Sequence, residues 1–221
     1  MFKNILKISF RNLSGNASHS LINVLGLSIG ITSALIIASI IRFDLSFDNY
    51  HEFKDRTYRL VTDDVTKERR PDSGTPYPLR LVFQDDFPEV EHLTMVDNNM
   101  LSGLVSVTTD AGETIYEEDA NNQAFVMPDF FKMFRRDFLV GDSEKVFENG
   151  NSVALSKTLA EKYFGDHISA VGQVIKIENL LELTVTGVIN DAPMNTDLPF
   201  NMLISFDAGG EERIWKSWDS S

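Results

Sequence analysis

LINVLGLSIGITSALIIASII, residues 21–41, is the core of a thirty-residue stretch between Arg11 and Arg42 that contains no Lys, Arg, Asp or Glu. At about 1.5 Å per residue, a helix of this length spans about 30 Å, the hydrocarbon thickness of a bilayer. A secretory signal peptide has a shorter apolar run and a small-residue cleavage site. Here the run is long and ends in Ile40-Ile41-Arg42-Phe43-Asp44, which offers no such site. A buried core helix rarely runs so far without a polar face. The reading is an uncleaved transmembrane helix over 21–41, preceded by a cytoplasmic basic segment, 1–20, and followed by an external domain, 42–221.

The flanks set the orientation. Lys3, Lys7 and Arg11, with no acid, give the first twenty residues a charge of +3. The whole chain of 221 residues carries −13, so the part after the helix holds −16. Positive charge is retained on the cytoplasmic side, which places the acidic domain outside. Zero cysteines fit an external domain that does without disulfides. The acidity leaves no basic stripe for nucleic acid.

On a helical wheel Phe2, Ile5, Leu6, Phe10 and Leu13 share one arc, and Lys3, Lys7 and Arg11 a neighbouring one. This predicts a short helix in the inner interface, its amines near lipid phosphates. Within the span, Gly26, Gly30, Ala34 and Ala38 recur every four residues. Small side chains at that spacing let a second helix approach closely. Past the span, Phe43, Asp44, Phe47, Asp48 and Tyr50 alternate aromatic and acidic groups. They predict an outer joint, either an aromatic collar at the headgroups or a stiff connection into the domain.

The domain reads as α+β. Strands are expected at 57–61, 91–97, 103–109, 113–118, 123–127, 153–155, 173–178, 181–186 and 203–206. Asp110-Ala111-Gly112 is a hairpin turn. Thr75-Pro76 predicts a helix start burying Leu79, Val82 and Phe83. Pro128 opens a short helix through Phe134. Ser156 caps a helix that Gly165 closes. Leu181, Leu183 and Val185 alternate with Glu182, Thr184 and Thr186, the pattern of a half-buried antiparallel strand.

Enzyme signatures do not occur. The sequence holds no Walker A loop, no H-E-x-x-H, no C-x-x-C and no G-x-S-x-G. His19, His51, His92 and His167 are scattered, and His51 reads as a surface or packing residue. Asp63-Asp64, Asp85-Asp86 and Glu117-Glu118-Asp119 read as a solvated acidic face. No catalytic, cofactor or metal residue is assigned.

Six ordered segments carry a resemblance. They are FKNILKISFRNLSGNASHSLINVLGLSIG (2–30), FDLSFDNYHEFKDRTYRLV (43–61), DDFPEVEHLTMV (85–96), VMPDFFKMFRRDFLVGD (126–142), SVALSKTLAEKYFGD (152–166) and VGQVIKIENLLELTVTGVINDAP (171–193). Together they resemble the N-terminal part of FtsX-like, MacB-type ABC transporter permeases, over nearly the whole chain. The resemblance implies one transmembrane helix followed by a mixed α/β periplasmic core domain of one or two lobes, Porter-like and Sabre-like. It implies a permease subunit of the bacterial inner membrane working by mechanotransmission, for export or lipoprotein release. ATP hydrolysis would fall to a separate cytoplasmic ABC ATPase, so the chain itself is no enzyme and needs no cofactor. Implied partners are that ATPase, a second permease copy or paralogue as a dimer, the lipid bilayer, a periplasmic adaptor and an outer-membrane channel. Family permeases add three more helices after this domain, so the chain reads as an N-terminal fragment whose domain is incomplete at its C-terminus. The competing reading is a single-span, membrane-anchored periplasmic binding or sensor domain.

Overall fold

Without a charge to interrupt it, the N-terminal apolar run forms one helix, α1, Ala17–Asp44. It extends past the expected span at both ends, because Ala17 to Ser20 and Arg42 to Asp44 continue the same hydrogen-bond ladder. None of its residues is buried, and it is long and apolar enough to cross a membrane. The computed structural model describes residues 17–62, 74–76, 78–98, 103–110 and 112–208, together with positions 4, 11 and 15. The chain divides into two units, 1–47 and 48–221.

Among the described residues, the second unit is organised by one nine-stranded sheet. Its strands are β1 Val96–Asp97, β2 Leu104–Thr109, β3 Gly112–Glu117, β4 Gln123–Val126, β5 Phe138–Val140, β6 Ser152–Ser156, β7 Val174–Ile177, β8 Leu181–Ile189 and β9 Met202–Ser205. The spatial order is β1-β4-β9-β6-β8-β7-β2-β3, with β5 pairing β8. β4–β9 and β6–β8 are parallel; the other pairs are antiparallel. The helices are α2 Leu79–Asp86, α3 Phe130–Met133 and α4 Lys157–Phe164. The mixed α/β architecture expected after the apolar helix is present, its one-or-two-lobe option taking the form of this continuous sheet.

Each sheet face buries its own apolar cluster. On one, Val105, Phe125, Val153, Leu155, Ile175, Leu183 and Ile204 pack with Leu159, Ala160 and Tyr163 of α4. On the other, Val126, Ala154, Ile189 and Leu203 pack under Phe130, Phe131, Val146, Phe147 and Phe200. α4 follows from local sequence. The Ser156 hydroxyl accepts a hydrogen bond from Leu159 N–H at 3.3 Å, and Gly165 closes the helix at φ +77. That conformation favours glycine because a Cβ would crowd the carbonyl.

Several expectations change, and the strand expected at 91–97 shortens to Val96–Asp97. Residues 57–61 form no strand; Tyr58 is 82% exposed, with Val61 exposed too, and none of the described strands pairs with them. α2 starts at Leu79, not Pro76: Leu79 N–H donates to Pro76 O, and a turn precedes the helix. β8 is a central strand rather than half-buried. Its pattern alternates to Thr186 and then becomes fully buried over Gly187, Val188 and Ile189. The cause is a register shift against β6: Val153 pairs with Val185 but Ala154 with Gly187. The extra residue swaps which face each later side chain meets.

Candidate functional site: the entry joint of the domain

The second unit begins at Asp48, and its first residues are tied to a loop far along the chain. Asp48 has φ +52, a left-handed conformation that Asp tolerates better than most side chains. Its N–H donates to Asn195 O at 3.1 Å. Its carboxylate accepts from Thr196 Oγ1 and, at 3.1 Å, from Asp197 N–H. Thr196 is the hub. Its hydroxyl donates to Asp48 and accepts from Tyr50 Oη at 3.2 Å and from Leu198 N–H at 3.1 Å. One donor and two acceptors exhaust what a hydroxyl can do.

His51 is 5% exposed, a packing histidine. Its Nδ1 accepts from Arg135 N–H at 3.1 Å, so the proton of the neutral ring sits on Nε2. Nε2 lies 3.4 Å from Asp48 Oδ1 without a hydrogen bond, the two groups being poorly aligned. The ring packs edge-on against Phe134 and beside Tyr50. Burial holds the His51 pKa below its ordinary 6.5, and Arg136 adds to this, while the Asp48 charge opposes.

Arg136 anchors the same loop from the other side. Its guanidinium donates to Leu198 O, Asn190 O and Phe200 O, at 3.3, 3.2 and 3.1 Å. Burial lowers its pKa, yet the group stays a cation. Asp191 fastens the loop's start to α4, accepting from Thr158 N–H at 3.0 Å and Thr158 Oγ1 at 2.8 Å. Burial pulls the Asp191 pKa up, but these bonds, with Ser156 and Lys157, hold it below the usual carboxylate range. Tyr50, Arg135, Arg136, Asp137, Asn190, Asp191, Pro193 and Asn195 line a shallow cleft of about 380 Å³ here. The side chains of Asp48, Thr196, Arg136 and Asp191 are spent on fastening the backbone.

Of the anticipated joint, Asp48 and Tyr50 enter this network. Phe43 and Phe47 instead stack edge to face at 5.3 Å within the first unit. Asp44 is the last residue of α1, and its carbonyl accepts from Phe47 N–H at 3.3 Å. Gly26, Gly30, Ala34 and Ala38 are all exposed on α1, and a Cβ at either glycine would meet nothing within 4 Å. Lys3 and Lys7 lie outside the described residues; Arg11 is helical and exposed. The residues that the sequence reading missed are Arg135, Arg136 and the loop 190–200, while His51, read as a surface or packing residue, is a packing one. Only Asp191-Ala192-Pro193, read as a strand end, signalled anything there.

The acidic face reads differently in three dimensions. Glu118 is mostly buried and accepts from Lys162 Nζ at 2.6 Å and Tyr163 Oη at 3.0 Å. Burial and that carboxylate push the Tyr163 pKa up. Asp119 caps the turn at 120–122 through Asn121 N–H. Asp63 and Asp64 lie outside the described residues.

A family model described as MacB-like periplasmic core domain matches residues 20–219. No curated protein matches. The similar solved structures include three periplasmic, extracellular or permease domains. A permease-protein domain from Porphyromonas gingivalis is 19% identical, with a TM-score of 0.40 over 52% of this chain and 50% of that one. The periplasmic region of MacB from Actinobacillus actinomycetemcomitans is 11% identical, with a TM-score of 0.40 over 66% and 62%. The extracellular domain of the noncanonic ABC-type transporter YknZ from Gram-positive bacteria is 15% identical, with a TM-score of 0.33 over 56% and 60%. The chain thus spans between 50% and 62% of the length of these structures. The sequence match over residues 20–219 carries the assignment: the chain belongs to the MacB-like periplasmic core domain family of ABC transporter permeases.

Proposed function

We propose that this chain is the N-terminal part of a permease subunit that couples ATP hydrolysis on a partner to movement of a periplasmic domain, for export or lipoprotein release. The family implies an ABC transporter assembly with an ATPase partner, and a membrane-anchored protein with a periplasmic domain. The finer reading places α1 in the inner membrane with its N-terminus cytoplasmic, in line with the +3 charge before it. It also makes the working unit a dimer, assembled on the stripe Gly26, Gly30, Ala34 and Ala38, with a periplasmic adaptor and an outer-membrane channel as further partners. Lys3, Lys7 and Arg11 would lie along the inner leaflet.

One observation carries the coupling. Residues 45–47 alone separate the end of α1 from Asp48, whose backbone and carboxylate are bonded to the loop at 195–197. That loop is fastened in turn to α4 through Asp191, and to the segment between α3 and β5 through Arg136. A short linker and a dense attachment suit force transmission, which a long flexible linker would dissipate.

The test uses the full reading frame co-expressed with its ATPase in nanodiscs. Wild type is expected to alter ATP turnover, and Asp48→Ala with Thr196→Val to uncouple it while leaving co-purification intact. ATP turnover indifferent to the permease would count against coupling. It would favour a binding or sensor role.

A further inference from the structure

β3 forms one margin of the sheet among the described residues, pairing with β2 alone. The register decides what that margin presents. Thr109 pairs with Gly112 across the turn, and Glu118 N–H donates to Gly103 O at 2.8 Å. Antiparallel ladders alternate, so Gly112, Thr114 and Tyr116 exchange hydrogen bonds with β2. Glu113, Ile115 and Glu117 therefore direct their N–H and C=O groups outward.

The same three residues share one face, because side chains alternate along a strand. Ile115 is 65% exposed there and stands between two exposed carboxylates. A shallow cleft lined by Leu104, Ser106, Ile115, Glu178 and Asn179 opens beside it. Lys176, across β2 on this face, is held by Glu182 at 2.8 Å. The margin thus offers backbone pairing, an apolar knob and two negative charges in fixed register.

We propose that β3 is a docking edge for a basic, extended segment of another protein, which adds to the sheet as a strand. Charge selects this occupant. A second copy pairing antiparallel about Ile115 would set Glu113 opposite Glu117 of its partner, and like charges directly opposite destabilise a sheet. A segment of the form basic-x-apolar-x-basic places a cation opposite each glutamate and an apolar side chain opposite Ile115. The pattern therefore disfavours self-association and suits a cationic strand.

The test uses the full chain in nanodiscs and a fluorescent peptide, TKTVTKT, with anisotropy and amide hydrogen exchange as readouts. Binding is expected to slow exchange at residues 113, 115 and 117 and to leave 114 and 116 unchanged. Glu113→Lys with Glu117→Lys should weaken the peptide about ten-fold and confer preference for TETVTET. Ile115→Pro removes an outward N–H without touching the β2 ladder and should also weaken binding, with circular dichroism unchanged. Equal affinity for both peptides in wild type and the double variant overturns the proposal. So does protection away from β3. Protection of the same three amides by raising protein concentration without peptide identifies a second copy as the occupant and likewise overturns it.

Discussion

Asp48 accepts a hydrogen bond from Thr196 Oγ1, 148 residues further along the chain. This bond closes the domain: the first residue of the unit is fixed to the last long loop before β9. It also places a left-handed, non-glycine residue where the apolar helix has just ended. Such a conformation persists only when its surroundings hold it, and here three hydrogen bonds do.

Replacing the hub hydroxyl should loosen that attachment. Thr196→Val leaves Leu198 N–H, Tyr50 Oη and one Asp48 oxygen without this partner, and should cost about 1–3 kcal/mol in urea unfolding. Asp48 is part-exposed, so water recovers some of the loss and the lower end is expected. Asp48→Ala and Asp48→Gly separate two causes. Both lose the carboxylate, but glycine accepts φ +52 freely, so it should be the more stable by about 1 kcal/mol.

His51 should make stability depend on pH. Burial lowers its folded pKa below 6.5, so below that pH the unfolded chain binds more protons. The stabilisation is therefore complete above about pH 6.5 and declines as pH falls toward the folded pKa. Acidification also puts a proton on Nδ1, which then no longer accepts from Arg135 N–H. His51→Gln keeps an acceptor without a titrating ring. Urea midpoints measured from pH 7.5 to 5 should fall for wild type and flatten for the variant.

Gly187 marks the shift in β8. A Cβ there would come within 2.8 Å of Phe138 Cε1 and 3.2 Å of Val146 Cγ2. Both belong to the tightly filled face beneath Phe131 and Phe147. Gly187→Ala should cost about 1–3 kcal/mol by overpacking, read as a lowered Tm. Pairing it with Phe138→Leu should recover part of the loss; no recovery would place the strain elsewhere.

The small-residue stripe makes a prediction inside the membrane. If Gly30 faces a second helix, Gly30→Leu should weaken crosslinking between copies in native membranes, and Leu35→Ala should not. Equal crosslinking in all three would reduce the stripe to ordinary membrane-helix composition.

Several of these features can be traced to short stretches of chain. Ser156 and Gly165 bound α4 as their chemistry demands, because capping is decided by residues within one turn. The β2–β3 hairpin follows equally from two alternating runs around Asp110-Ala111-Gly112. Residues 57–61 show the limit. Their β-branched and aromatic content favours a strand, but a strand needs a neighbour, and none of the described strands takes them. His51 shows it from the other side. A lone histidine reads as surface or packing, and its distant partners are Phe134 and Arg135, eighty-odd residues away in sequence.

By itself the sequence determined a long apolar helix near the N-terminus, the separation of a basic leader from an acidic remainder, and most helix and strand positions. These depend on hydropathy, charge and local backbone preference, which act over a few residues. The tertiary structure alone decided that β8 is central, that Glu118 is paired beneath a surface that reads as acidic, and that Asp48 is fastened to Thr196. These depend on which distant segments the sheet brings together, and hydrogen bonds and burial reach only a few ångströms. The charge-free run at 21–41 therefore announces a long apolar helix, while the network around Asp48 exists only once residues 190–200 have folded against it.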